Sequence, residues 1–282
     1  DTAHPLLLYA EGRNRFVDFI GKTRGVEFFF LAVGTWIAGI GIAAVGDRGA
    51  LWLGAGALGL AVILMVLGVR SPEPARAHQA VSLRSLLNFD LPRNLRVIML
   101  ANFIFSVGLS TSHCFIMPLF FSQKFGEPAA TVSTVMTIHR LTSVLPLLLV
   151  GYLHLKHYKA VFIATVFLEG IAISAGALIP DFYWAAAIWL LHDLVGAGVW
   201  IPIQSAIIQD ACRDESRGLD LSKTLAFSAL GGAIGPVLAG FLADVSISAP
   251  FLVSGLLVAL SAGVLTALRV RPGLGQEEPA SP

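Results

Sequence analysis

Arg140 and Asp193 are the residues whose type and setting most invite chemistry. Each lies within an apolar run, where a charge is costly and needs a partner or a water-filled cavity. Ser133, Thr137 and Ser143 stand seven before, three before and three after Arg140, a spacing that keeps all four on one helical face. Such a stripe faces a cavity or another polar helix. Arg140 there binds an anionic group of a substrate or pairs with a titrating carboxylate. The alternative is a static ion pair joining two helices. Trp189 stands four before Asp193, Trp200 seven after it, and Gln204 four beyond Trp200, which makes a second, polar-aromatic stripe. Gly196 and Gly198 leave room beside it. Asp193 in this setting is a proton carrier or cation site walled by Trp189 and Trp200. Burial and a nearby Arg act in opposite directions on a carboxyl group, so Arg140 and Asp193 together would switch protonation as a cavity opens and closes. The alternative makes Asp193 the static partner of Arg140 and the tryptophans packing.

His113 extends a face formed by Asn102, Ser106 and Ser110. A histidine titrates near neutral pH and suits a proton relay; a plain hydrogen-bonded histidine is the other reading. His139 and His192 adjoin Arg140 and Asp193 but project about 100° away round the helix, as packing residues would. Glu169 is expected to turn inward to a neighbour. A metal centre from His113, His139, His192 and Asp193 would need three helices to converge. None is expected, nor any cofactor.

These residues must be held by membrane-spanning elements. The chain has 282 residues, of which 56% are hydrophobic and 13% charged, with a mean hydropathy of +0.77. A soluble domain carries about 25% charge. Half of that cannot coat a water-facing surface, which excludes a soluble enzyme, a disordered chain or a nucleic-acid binder. Two cysteines exclude a disulfide scaffold. The apolar runs are continuous and about twice as long as the roughly 10-residue alternating strands of a barrel, so helices are expected. Eight runs are read, at 25–45, 51–69, 96–121, 129–153, 160–179, 182–208, 224–245 and 250–268. Of the 19 Lys and Arg residues, 16 fall on one side of the membrane, Arg48 and Lys124 fall on the other, and Arg140 is inside a run. Basic loops stay in the cytoplasm, so both termini are expected there, in a multi-pass protein of a bacterial inner membrane. Residues 71–94 read as a cytoplasmic linker and 272–282 as a disordered tail. No phosphate-binding Gly-Lys-Ser/Thr loop, H-E-x-x-H or Gly-x-Ser-x-Gly occurs, so neither an ATP-driven pump nor a hydrolase is expected.

Shifted by 201 residues, 21–40 matches 222–241 at 6 of 20 positions and 50–70 matches 251–271 at 7 of 21. The offset spans six helices. Residues 1–70 then read as the last two helices of one six-helix half and 95–271 as a complete second half, with four helices expected ahead of Asp1. Two parallel six-helix halves joined by a cytoplasmic linker resemble the major facilitator superfamily. The most specific residues are Gly231, Gly235, Pro236 and Gly240, which resemble that family's Gly-x-x-x-Gly-Pro-x-x-x-Gly helix. Small residues let helices approach closely in lipid, as a gating or simply packed interface requires. Residues 151–160 resemble a degenerate copy of the family's Gly-x-Leu-x-Asp-Arg-x-Gly-Arg-Lys loop, with Leu155 at the Asp position.

The resemblance implies an all-α, major-facilitator-like bundle carrying eight of twelve helices. It implies a secondary active transporter of a small molecule that works by alternating access with proton coupling, as symporter or antiporter, and is not an enzyme. Its partners would be a small-molecule substrate and the lipid bilayer, with no nucleic acid. The residues singled out for substrate or proton coupling are Arg140, Asp193, His113, Trp189, Trp200 and Gln204. The alternatives are a family-like assembly factor or sensor that no longer transports, and an intramembrane enzyme.

Overall fold

The computed structural model describes residues 13–68, 90–113, 115–153, 155 and 157–269. Most of the expected linker and all of the expected tail lie outside them, as do Cys114, His154 and Lys156. Every regular element among the described residues is helical. α1 (Arg13–Gly68) is a helix pair broken at Gly46, whose φ of 69° is a turn that glycine takes at no steric cost. The elements that follow are α2 (Arg93–Ser112), α3 (Ile116–Phe125), α4 (Ala129–Leu149) and α5 (Tyr158–Leu178). They continue with α6 (Phe182–His192), a π-helical turn (Asp193–Ala197), α7 (Gly198–Ala211), α8 (Arg217–Val245) and α9 (Ala249–Leu265). Six segments among them are long and apolar enough to cross a membrane, and α9 is a shorter apolar helix. The molecule is an all-α polytopic membrane protein.

The third apolar run is two helices rather than one. α2 ends where His113 turns extended (φ −95°, ψ −168°), and the chain restarts as α3. Thr111, Ser112 and His113 supply local hydrogen bonds that compete with the helical ladder.

α2 lies between α8 and α9, α9 packs on α5, α5 on α6, and α1 on α4. Gly231 and Gly235 set the α8–α2 contact. A Cβ at Gly231 would stand 2.6 Å from the Phe103 carbonyl, and one at Gly235 2.6 Å from the Ser110 Cβ. Gly240 differs, because a Cβ there meets nothing within 4 Å. Pro236 lies inside the same helix, half-buried between these positions. The outward faces are apolar, with Val237 at 61% and Phe241 at 71% exposure, as contact with lipid tails requires.

The buried side chains form two clusters. One gathers Leu95, Ile98, Phe105, Phe162, Trp200 and Ile203 toward the end of the bundle rich in basic residues. The other gathers Met117, Phe120, Phe121, Ile173, Trp189 and Phe251 toward the opposite end. Lysines bind helix C-termini at both ends: Lys124 Nζ donates to the carbonyls of Ala177 (2.6 Å) and Ile179 (2.9 Å), and Lys159 Nζ to those of Thr266 (2.8 Å) and Leu268 (2.7 Å). A cation is favoured there because the last carbonyls of a helix lack internal donors. These two lysines therefore have structural work independent of orientation in the membrane.

At the basic end, Arg213 bridges the buried Asp220 (2.8 Å) and the exposed Asp90 (3.2 Å). Next to it, burial pushes the Cys212 thiol up to about 11. Against an ordinary thiol at 9.0, this cuts the thiolate fraction at neutral pH by about 100-fold. Maleimide labelling of Cys212 in the folded protein is expected to be slower than that of a free thiol by about that factor, and to recover on unfolding. A thiol-reactive dye followed by mass spectrometry checks this.

Candidate functional site

The chain passes from one apolar cluster to the other at a group of polar residues. α2 does so at His113, α4 at His139, and the α6–α7 span at His192 and Asp193. His139 is 3% exposed, His192 0% and Asp193 4%, while His113 is half-buried. Local structure explains how they meet. The π-helical turn begins at Asp193, and such turns insert one residue into a helix, commonly at functional sites. Gly196 in this turn lies against the Glu169 side chain, where an added Cβ would stand 2.6 Å from Oε2, and Gly198 lies against the Pro146 ring of α4. The absence of side chains at these two positions lets the turn sit close to α4 and α5.

His139 Nε2 is 2.8 Å from Asp193 Oδ2, and His192 Nε2 is 3.6 Å from Asp193 Oδ1. Thr142 Oγ1 approaches Asp193 Oδ2 at 3.5 Å while donating to the His139 carbonyl at 2.8 Å. The His139–Asp193 contact has hydrogen-bond length but not hydrogen-bond direction. Neither ring nitrogen of His139, nor Nε2 of His192, nor Nε1 of Trp189 has a hydrogen-bond partner among the described residues. Each buried unpartnered polar atom costs about 1–3 kcal/mol, so the cluster is energetically unfavourable as a purely structural feature. Trp189, fully buried, closes one side. Its ring centroid lies 4.7 Å from those of His139 and His192 and 6.1 Å from that of His113.

Three of the residues singled out from the sequence, His113, Trp189 and Asp193, thus stand in one group. Arg140 is half-buried on α4 beside it and makes no ion pair among the described residues; the partners of Asp193 are His139, His192 and Thr142. Trp200 and Gln204 belong elsewhere. Trp200 Nε1 donates to Glu169 Oε2, and its ring meets Phe105 edge-on at 4.8 Å. Gln204 Nε2 donates to Asn102 Oδ1 at 2.8 Å. Trp200, Phe105, Gln204 and Asn102 line a separate cavity of ≈ 10 Å³ toward the basic end, about the room for one water. The residue inserted by the π-helical turn rotates α7 by about 100° relative to α6, so a stripe drawn at regular helical spacing through Trp189, Asp193, Trp200 and Gln204 does not stay on one face.

His139 and His192, for which the sequence leaves plain packing open, are central members of the group. Their only sequence signal is adjacency to a buried charge. Glu169 is turned inward, 1% exposed, with Oε1 unpartnered among the described residues.

The family model described as Major Facilitator Superfamily matches residues 98–282 of the chain. No curated protein matches it.

Proposed function

We infer, since the chain belongs to the major facilitator superfamily, that this transporter moves a small molecule by alternating access, driven by protons. The observation that carries the reading is Asp193, a carboxylate 4% exposed inside a span, facing two histidines and, among the described residues, no Arg or Lys. A buried charge with incomplete pairing is costly to keep unless it is used. His113, His139 and His192 beside it bring imidazole nitrogens, groups that can accept and pass on a proton, close to that carboxylate. Arg140, half-buried at the edge of the group, is the residue we assign to an anionic part of the substrate. Residues 1–70 are read as the end of the first six-helix half and 95–271 as the second, with α8 and α2 meeting through Gly231 and Gly235 where the second half must stay tightly packed as it tilts. The basic end faces the cytoplasm by the excess of Lys and Arg there.

The test is reconstitution of the full chain in liposomes loaded with a pH-sensitive dye. The liposomes are challenged under a proton gradient with a panel of amino acids, sugars, organic acids and cationic drugs. A substrate-evoked proton flux is expected, absent from empty liposomes. Asp193→Asn is expected to lower it at least tenfold with an unchanged size-exclusion profile. Unchanged flux in both Asp193→Asn and Arg140→Ala would overturn the site assignment.

A further inference from the structure

We propose that His113, His139, His192 and Asp193 form a binding site for one divalent first-row transition-metal ion of the zinc type. One nitrogen from each of the three histidines lies within 4.8 Å of the others. The rings are mutually close, with centroid separations of 5.6, 5.3 and 5.2 Å. The hydrogen bonds also fix where the lone pairs are. His113 Nδ1 is 2.9 Å from the Leu109 carbonyl, and His192 Nδ1 meets the Trp189 carbonyl. A carbonyl oxygen only accepts, so in both rings Nδ1 carries the proton and Nε2 of the neutral imidazole is a lone pair. Ser112 Oγ, itself bonded by Ser254 Oγ at 2.8 Å, braces His113 at 2.9 Å. A metal-binding histidine characteristically donates its other ring N–H to a backbone carbonyl in this manner.

Three imidazoles and one carboxylate match the donor set of a tetrahedral zinc-type ion, whereas calcium and magnesium prefer all-oxygen shells. Metal–nitrogen bonds of about 2.0–2.1 Å place tetrahedral ligand atoms about 3.3–3.4 Å apart. Closing the triad from within 4.8 Å to that spacing takes up to about 1.5 Å. His139 and His192 are unable to satisfy each other, because their partnerless nitrogens face the same carboxylate and one another's rings. One cation would bond a lone pair of His139 and that of His192 Nε2 at once. The half-buried His113 gives an ion its approach.

The proposal adds a ligand class to the residues that carry the transport reading. Equilibrium binding is measured without transport, so either reading fails separately. Untagged, chelator-stripped full chain in detergent is titrated with Zn²⁺ by calorimetry and with Co²⁺ by visible absorption. The expected result is one ion per chain, with the intense ligand-field bands of tetrahedral Co²⁺ that Zn²⁺ abolishes. His139→Ala and His192→Ala are expected to weaken binding about 100-fold or more, at or beyond the cost of losing an outer-shell partner. His157→Ala, away from the site, is expected to leave it unchanged. His113→Asp, which keeps a ligand atom, should retain one ion at reduced affinity. No saturable ion in the wild-type chain overturns the proposal without recourse to any variant. Equal affinity in wild type, His139→Ala and His192→Ala overturns it too.

Discussion

Trp189→Ala is expected to be the most destabilising single truncation in the bundle, at about 3–5 kcal/mol. The side chain is fully buried and is the largest so placed among the described residues. Its ring packs edge-on to Phe121 at 5.6 Å and stacks on His139 at 4.7 Å. Its backbone side is fitted against Gly176, where a Cβ would stand 2.9 Å from the Trp189 Cβ. In lipid the folded state gains little from the hydrophobic effect between helices, and tight packing carries the association. A void of indole size therefore removes what holds α5 and α6 together, and it also frees the imidazoles stacked on the ring. Thermal unfolding in detergent micelles checks the expectation. Trp184→Ala is the control. Trp184 is 67% exposed on the same helix, and its loss is expected to shift the midpoint little.

Gly235→Leu is expected to prevent α8 from seating on α2. The added Cβ would meet Ser110 Cβ at 2.6 Å and the Val107 carbonyl at 2.8 Å. A carbonyl is backbone, and no flexible side-chain end is available to give way. Overpacking in a core costs about 1–3 kcal/mol when neighbours can adjust, and a helix forced off its partner costs more. Gly240→Leu tests the same helix where the space is open and is expected to be tolerated. Size-exclusion profile and midpoint of thermal unfolding separate the two. Equal behaviour of the variants would show that the glycines of α8 do not set the contact.

The membrane spans were legible in the sequence because burial in lipid demands long uninterrupted apolar runs, and these leave a strong signal. The break at His113 was not. It depends on Thr111, Ser112 and His113 taking hydrogen bonds locally, and each of those residues is also tolerated inside a helix. Asp193 and His113 were legible as polar groups in apolar surroundings. His139 and His192 were hidden, since one residue's step round a helix placed them away from Arg140 and Asp193. The structure instead turns His139 toward the interior and leaves Arg140 at the edge. The separation of Trp200 and Gln204 from Trp189 follows from the π-helical turn, which shifts the phase of everything after it. Gly196 and Gly198 mark that turn, but glycines in a membrane helix mark close packing just as often.

The measurement that tests alternating access most directly needs no knowledge of the substrate. Thr137 is half-buried on α4, three residues before Arg140. Thr137→Cys in a Cys114→Ser, Cys212→Ala background is reconstituted in vesicles and reacted with a membrane-impermeant thiol reagent from one face or the other. The predicted result is reaction that strongly favours one face under a proton gradient and the opposite face when the gradient is reversed. Labelling rates from the two faces that ignore the gradient would contradict an alternating, proton-driven cavity at this site.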